Sequence, residues 1–207
     1  MNRIELKEWA KKKIEGNIGN ILLGVVIVLA VSLLFSFGVG FVQAVFGEES
    51  FVTFIVSLIV ELLLVPLSIG LNAYMIGFVK NDEFNRDTLF ASYEDTYKII
   101  GTNILMSFLI MIGMFFFIIP GIYLAFSYAL VPYLLVTHRD LSITETLELS
   151  RKMMNGHKLD YFILSISFIG WVLLVPFTLG ILLIWLYPYM ATATTKFAVD
   201  VIDSYDE

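Results

Sequence analysis

The sequence contains no cysteine and few charged residues, and both shortages narrow the possible functions. Without cysteine there are no disulfides, thiolate metal sites or cysteine nucleophiles. Charged residues make up 15% of the chain and apolar residues 58%, whereas ordinary soluble domains carry about 25% charged residues. The net charge of −6 also argues against binding to nucleic-acid phosphates. The composition therefore excludes a soluble enzyme, a nucleic-acid binder and a disordered adaptor, and it indicates an integral membrane protein.

Motifs for catalysis are missing as well. The sequence contains no H-E-x-x-H, no G-x-S-x-G, no Asp-rich diphosphate motif and no pair of carboxylates within an apolar run. The two histidines, His138 and His157, have no ligand spacing around them, so they do not predict a metal site. We therefore expect a protein that is not an enzyme and that needs no metal or cofactor.

Four long apolar runs dominate the chain. Residues 99–137 and 161–195 are too long for one helix each, because a span needs about 20 residues. Each run contains a breaker near its middle, which predicts two hairpin turns at Pro120-Gly121 and at Pro176 to Gly180. The six predicted spans lie near residues 18–46, 51–79, 99–119, 121–137, 161–175 and 180–195. The predicted fold is all-α: a membrane bundle of six transmembrane helices arranged as three hairpins.

The basic residues predict the orientation of this bundle. In a six-span topology all 13 Lys and Arg residues fall on one side, and cytoplasmic loops are the ones that carry such an excess. Both termini are thus predicted to be cytoplasmic in a bacterial plasma membrane, with residues 196–207 forming an acidic cytoplasmic tail. The alternative is five spans, with 161–195 partly re-entrant and the tail outside, because Lys196 alone gives the last span little directional bias.

Three short polar segments precede the three predicted hairpins. They are residues 1–17, residues 87–98 and residues 142–155, and in each of them apolar side chains recur at helical spacing. Ser142 and Glu145 form an S-x-x-E capping box, which predicts a helix start. We expect these segments to be amphipathic helices in the plane of the inner headgroups, since the apolar face of the third has no obvious partner within its loop.

Glu61 is the one ionisable residue within the predicted spans. It lies ten residues after Phe51, about 15 Å into the helix at 1.5 Å per residue. Such residues often belong to ion or proton pathways. The alternatives are a neutral acid paired with another helix and an acid that reaches polar depth because the span is shifted. Asn72 and Asn103 complete the candidate intramembrane polar site, while Pro66 and Gly70 could form a hinge beside it.

Basic residues in two cytoplasmic segments predict a surface for anionic lipid headgroups. The first segment contributes three consecutive lysines, and the second brings a histidine close to three cations. These candidate residues are Lys11, Lys12, Lys13, Arg151, Lys152, His157 and Lys158. Ordinary topology-determining positive charge is the alternative explanation for all of them.

Several short motifs together resemble those of a known family. They are the run from Ile118 to Ile122, Tyr128, Pro132-Tyr133, the run from Ser150 to Lys158, the run from Phe168 to Trp171, and Tyr187-Pro188-Tyr189. The family comprises small integral membrane proteins found mainly in Gram-positive bacteria, catalogued as domain of unknown function number nine hundred and seventy-five. The resemblance implies a six-helix plasma-membrane protein and carries over no catalytic or ligand residue.

Two functions remain open at this point. The first is a non-catalytic accessory, regulatory or protective protein that acts through other membrane proteins, lipids, membrane-active peptides or a second copy of itself. The alternative is a small transporter with a polar site around Glu61. A substrate path needs several polar groups within the membrane, and the predicted spans contain only one carboxylate. The sequence therefore favours the accessory protein.

Overall fold

The computed structural model describes residues 3–206, and this part of the chain contains eleven α-helices and no strand. The helices are α1 (Arg3–Ile14), α2 (Ile18–Phe46), α3 (Phe51–Asn81), α4 (Thr88–Ala91), α5 (Thr96–Phe116), α6 (Ile118–Ser127), α7 (Val131–Thr137), α8 (Ile143–Met153), α9 (Lys158–Ile166), α10 (Ile169–Leu174) and α11 (Leu183–Asp206). Short 3-10 turns cover Ser92–Asp95 and Pro176–Thr178. The predicted all-α class is confirmed.

Helices α2 and α3 form the first hairpin. Gly47 allows the sharp turn between them because it adopts a φ of 89°, which other residues rarely tolerate. Ser50 then caps α3 by accepting a hydrogen bond from the backbone N–H of Val52 at 3.2 Å. Thr53 donates back to the Gly47 carbonyl at 2.8 Å. These local bonds connect two long helices through a turn of only four residues.

The second hairpin turns three residues earlier than the sequence predicts. The break is at Phe117, which has extended backbone, and α6 already begins at Ile118. Pro120 falls in the first turn of α6, where its missing N–H costs no helix hydrogen bond. Gly121 lies inside the helix and packs closely against Gly113 of α5. A Cβ atom added to Gly113 would lie only 3.0 Å from the Cα atom of Gly121. Pro120 therefore belongs to the first turn of α6, and Gly121 allows α6 to pack closely against α5. Neither residue forms the turn between the two helices.

The third predicted turn lies where the sequence places it. A 3-10 turn at Pro176–Thr178 follows α10, and the chain then passes through left-handed conformations at Leu179 and Gly180, with φ of 50° and 84°. Helix α11 begins three residues later. Pro176 therefore follows the end of α10, and Gly180 allows the chain to reverse its direction before α11.

Within residues 3–206, five helical stretches, one fewer than predicted, are long and apolar enough to cross a membrane. They are Ile18–Phe46, Phe51–Asn81, Thr88–Phe116, Ile118–Thr137 and Lys158–Thr178. Of the predicted sixth span, residues 180–195, the part from Leu183 onward forms the first half of α11, whose second half carries Lys196, Asp200 and Asp203. Leu186, Tyr189 and Thr192 of its first half are buried against protein. A helix shielded by other helices needs less hydrophobicity than one that faces lipid.

The segment predicted as an acidic tail is the second half of α11. Phe197, Val201 and Ile202 are buried on one side of it, where they pack with Leu6 of α1 in the main core. The acidic residues occupy the remaining positions, which is why the composition alone resembled a solvated tail. Residue 207 lies outside the described residues.

Several side-chain contacts connect segments that are far apart in the sequence. Lys80 in the last turn of α3 contacts Asp203 at 2.7 Å, and His138 directly after α7 lies 3.6 Å from Asp206. Lys196 of α11 sits 5.3 Å above the ring of Trp9 in α1. The N-terminal helix and the end of α11 are consequently in the same region of the molecule.

Two regions with different surroundings follow from this arrangement. The packed end consists of α1, residues 66–81 of α3, α4, α7, α8 and residues 186–206 of α11, and it contains most of the buried side chains. The outer halves of the hairpins are residues 29–63, 104–123 and 169–184, where most large apolar side chains are exposed. Without a lipid bilayer, such an apolar surface would be exposed to water.

Helix α8 confirms the predicted capping box. Ser142 accepts from the Glu145 backbone at 3.4 Å, and the Glu145 carboxylate accepts from the Ser142 backbone at 2.8 Å. The apolar face, however, does have a partner within the protein, because Leu147 is buried with Ile99 of α5. The reason given for placing this helix among lipid headgroups was therefore wrong, and the placement itself stays a prediction.

Candidate functional site

Glu61 lies on the outer surface of α3. Its side chain is exposed, and within residues 3–206 it has no hydrogen bond or ion pair. Its neighbours Leu58, Ile59 and Leu63 are exposed as well. The carboxyl group therefore faces away from the protein instead of pairing with another helix of the same chain.

The other two predicted polar residues do not join Glu61 in one site. Asn72 follows it by eleven residues on the same helix, a separation of about 16 Å. Its amide donates to the Ser68 carbonyl one turn earlier at 2.9 Å, and Asn103 does the same with Ile99 on α5. Both asparagines therefore satisfy a carbonyl of their own helix.

The predicted hinge of α3 is a packed segment. The helix continues without interruption through Pro66 and Gly70, both of which are buried. A Cβ on Gly70 would lie 2.0 Å from the backbone oxygen of Leu89, so only glycine lets α4 approach this closely. The geometry assigns Gly70 a role in helix packing.

The predicted basic surface is divided among several local partners. Lys13 contacts Asp82 at 2.5 Å, and Lys158 lies 3.6 Å from the ring centre of Tyr123. Lys152 contacts Glu148 at 2.9 Å, and this partner raises the pKa of the Lys152 ammonium. Lys11 and Lys12 are exposed beside Glu5, Glu8 and Glu15. The structure thus does not assemble these cations into one uniformly positive patch.

Of the remaining predicted patch residues, Arg151 lies in the last turn of α8 and His157 directly precedes α9. Arg151 is exposed, and His157 Nδ1 is 3.8 Å from the Asp160 carboxylate. Across residues 3–206, no three His, Asp or Glu side chains come close enough together to hold a metal ion.

Lys7 makes a contact that the sequence did not suggest. Its ammonium donates to the Ser167 hydroxyl at 3.2 Å and lies 4.8 Å from the ring centre of Phe168. Partial burial, followed by the nearby charge of Arg3, lowers the pKa of Lys7. This contact attaches α1 to the break between α9 and α10.

A groove that could hold a ligand lies between α3, α7, α10 and α11. It encloses about 480 Å³, within the roughly 300–1,000 Å³ of common ligand pockets. Its lining consists of Ser68, Leu71, Asn72, Met75, Tyr133, Val172, Leu183, Leu186, Tyr187, Met190, Ala191, Thr194 and Thr195. Of these residues, only Asn72 was a predicted site residue.

A few polar groups interrupt the apolar walls of this groove. The Tyr133 hydroxyl of α7 lies near the side chains of Thr194 and Thr195 of α11, and Thr194 donates to the carbonyls of Met190 and Ala191 on its own helix. Tyr187 has no hydrogen bond within the described residues, and Asn72 uses its NH₂ group on its own helix. The one signal in the sequence was the threonine-rich stretch of α11, whose hydroxyls are unusual in an otherwise apolar segment.

Comparison with protein families identifies this chain. The family described as "Protein of unknown function (DUF975)" matches residues 1–126 and 114–202, which together cover nearly the whole chain. The chain belongs to this DUF975 family. No curated protein and no solved structure matches the chain. Family membership confirms the resemblance inferred from the motifs, and it assigns no activity to this DUF975 chain.

Proposed function

We propose that this protein is a non-catalytic accessory protein of a membrane, which acts by binding other membrane components. The observation that carries the proposal has two parts. The large apolar side chains of the outer halves are exposed, and the candidate polar residues Glu61, Asn72 and Asn103 do not form one site. Exposed apolar helices in lipid are available to neighbouring proteins, lipids or membrane-active peptides, or to a second copy of the chain.

The alternative, a small transporter, depends on Glu61. A path for a polar substrate needs several polar groups that converge near the middle of the membrane. Glu61 is about 16 Å along α3 from Asn72, and both asparagines are bonded to their own helices. The accessory role requires no such convergence, so it fits this geometry better.

The same proposal includes an orientation, with both termini on the cytoplasmic side of a bacterial plasma membrane. Support comes from the contact of α1 with α11, from the ion pair between Lys80 and Asp203 and from the contact between His138 and Asp206. Basic residues on this side would meet anionic headgroups, as the positive-inside rule expects.

A flux measurement distinguishes the two functions. The protein is reconstituted in liposomes, and proton entry driven by a potassium diffusion potential is followed with a pH-sensitive dye. We expect no entry above that of empty liposomes, for both the wild type and Glu61→Gln. Proton entry in the wild type that Glu61→Gln abolishes would overturn the accessory role, because glutamine keeps the shape and hydrogen-bonding capacity of glutamate but cannot ionise.

Site-specific photocrosslinking in cells tests the binding role directly. A photoreactive residue at Phe37, which is 76% exposed on α2, should form a discrete adduct with a protein or with a second copy. The matched control is a photoreactive residue at Phe78, which is fully buried in the packed end. Lipid adducts alone at Phe37, together with proton flux, would contradict the proposal.

A further inference from the structure

Glu61 is the only acidic residue of α3, and it lies on the exposed apolar surface of that helix. Its neighbours Leu58, Ile59 and Leu63 are exposed as well. Within residues 3–206 no side chain forms a hydrogen bond or an ion pair with its carboxyl group. An unpaired carboxyl group in hydrocarbon is costly, and membrane proteins almost always place such a group against another helix or a water-filled cavity. Glu61 therefore needs a polar partner that the described part of this chain does not provide.

The depth of Glu61 determines what kind of element can bring this partner. Glu61 is about 15 Å along α3 from Phe51 and about 28 Å from Lys80, which lie near the two ends of the helix. Lipid headgroups lie at the surfaces of the roughly 30 Å hydrocarbon core, so they are far from this carboxyl group. The Tyr93 hydroxyl reaches α3 close by, but it donates to the Leu63 carbonyl at 2.9 Å. The partner is therefore a side chain on a helix that packs beside α3.

Charge complementarity identifies the chemistry of that side chain. A carboxylate forms its strongest hydrogen bonds with an ammonium or a guanidinium group. The chain has 13 Lys and Arg residues, and none of them lies in the outer halves of the hairpins, residues 29–63, 104–123 and 169–184. The outer halves of a second copy therefore bring no cation to Glu61. A different membrane protein, with Lys or Arg inside its span, does meet this requirement.

The surface around Glu61 has the spacing of a helix–helix contact. Phe54, Leu58, Glu61, Val65 and Ser68 follow one another at intervals of four and three residues, which is the heptad spacing of helices that cross at a small angle. Phe54 and Leu58 are 60% and 42% exposed, Ser68 is exposed and Val65 is half-buried. This seam, with Glu61 at its centre, is long enough for a partner helix to contact α3 over four turns.

We propose that Glu61 is the docking point for a transmembrane helix of another membrane protein that carries Lys or Arg near the middle of its span. The basic group donates to the Glu61 carboxylate, and the apolar side chains of the seam pack against the partner helix. Docking at Glu61 rests on the proposed function, since it names the chemistry of one partner that the accessory role requires.

Energy transfer to a synthetic helix tests this docking point. The full chain has no native cysteine, so a donor fluorophore is attached at Glu49→Cys in the exposed outer turn. The labelled chain is reconstituted in phosphatidylcholine vesicles with a Leu-Ala peptide of about 20 residues that carries one central Lys and an acceptor fluorophore. The matched peptide has Leu in place of Lys. We expect the Lys peptide to bind the wild type roughly tenfold more tightly than the Leu peptide, and Glu61→Leu to abolish the difference.

A relocated carboxyl group is the matched control for the seam. The double variant Glu61→Leu with Leu34→Glu places the carboxyl group on α2, at a position that is 72% exposed in the wild type. This variant should bind the Lys peptide more weakly than the wild type does, because the seam no longer surrounds the carboxyl group. Equal binding of the Lys peptide by the relocated variant and the wild type would overturn the docking point.

Two further results would also overturn it. The first is equal binding of the two peptides by the wild type, which decides even if no variant folds. The second is energy transfer between donor-labelled and acceptor-labelled copies that Glu61→Leu abolishes, since it would assign the carboxyl group to a second copy. Neither result changes proton flux or crosslinking at Phe37, so the accessory role can stand when the docking point fails. Proton entry that Glu61→Gln abolishes would instead remove both.

Discussion

Two phenylalanines show how differently the two regions of this molecule are built. Phe197 in the packed end is 2% exposed, and Phe177 in the outer turn is 85% exposed. The first packs against other helices as in a water-soluble core, whereas the second has no protein around it and is suited to a hydrocarbon solvent. The same residue type therefore stabilises the packed end through contacts with protein, and in the outer halves it forms a surface that is suited to a hydrocarbon solvent.

Helix α3 contains both regions within one continuous helix. Before Pro66 its large side chains, such as Phe54 and Leu58, are mostly exposed, and after it Tyr74 and Phe78 are buried. Both halves of the helix are rich in apolar residues, and the more apolar first half is the exposed one, so the boundary between the regions comes from the helices that pack beside its second half. Gly24 of α2 and α4 approach the helix there.

The largest expected effect on the free energy of unfolding comes from truncating one phenylalanine in each region. Phe197→Ala should lower the free energy of unfolding by about 3–5 kcal/mol, because it leaves a cavity among packed helices. Phe177→Ala should leave it nearly unchanged, since that ring contacts little protein. Unfolding in detergent micelles, followed by helical circular dichroism, measures both. Equal losses would show that the packed end is not the stabilising region.

A pair of glycine variants tests the same contrast through helix approach. Gly70→Ala should destabilise the protein by about 1–3 kcal/mol, because the new methyl group would collide with the Leu89 backbone. Gly38→Ala on the outer half of α2 meets no atom within 4 Å and should stabilise the helix by roughly 0.5–1 kcal/mol. Thermal unfolding of the two variants in the same micelles gives the sign of each effect. A neutral Gly70→Ala would contradict the close approach of α4.

The capping box of α8 should give a smaller, pH-dependent effect. Ser142→Ala should cost about 1 kcal/mol at neutral pH, because the helix loses an N-cap. Hydrogen bonds from Ser142 lower the pKa of Glu145 below its ordinary value of 4.5. Their contribution is therefore complete above pH 4.5 and is lost as the pH falls through the lowered pKa. The Glu145 carboxylate accepts from the Ser142 backbone N–H, whereas the Ser142 hydroxyl accepts from the Glu145 backbone N–H, which does not titrate. Unfolding curves from pH 7 to pH 3 should therefore converge for wild type and Glu145→Gln, while the offset of Ser142→Ala should persist. Parallel curves for wild type and Glu145→Gln would contradict this assignment.

The ion pair between Lys80 and Asp203 should have the smallest effect. Both side chains are partly exposed, so a double-mutant cycle with Lys80→Met and Asp203→Asn should give a coupling of about 0.2–1 kcal/mol that decreases with added salt. The matched control is the exposed pair Glu148–Lys152 within α8, which joins no separate helices. A coupling that salt does not change would show that the Lys80 contact is less hydrated than its exposure indicates.

Much of the fold could be predicted because its signals are local. The length of the apolar runs predicted α2 and α3, and Pro176 and Gly180 predicted the third turn. The S-x-x-E spacing predicted the start of α8 at Ser142. Each of these features depends on neighbouring residues only, so it can be recognised without knowledge of the tertiary structure.

The candidate site was predicted less well, because depth in a membrane does not determine which way a side chain faces. Glu61 and Asn72 were grouped by their position in one span, yet one faces outward and the other lines a groove. Tyr133 and Thr195 were not predicted, since they meet only when α7 packs against α11. Contacts between segments more than 60 residues apart have no signature in a single sequence.

The sequence by itself determined that this protein is all-α and apolar enough to reside in a membrane, because composition and run length govern both properties. The tertiary structure alone decided which apolar surfaces face protein. It made the end of α11 a core helix through Phe197 and Ile202, and it made Gly70 the point where α4 touches α3. The physical reason is that an apolar residue suits both lipid and a protein interior, so only packing against other helices distinguishes the two.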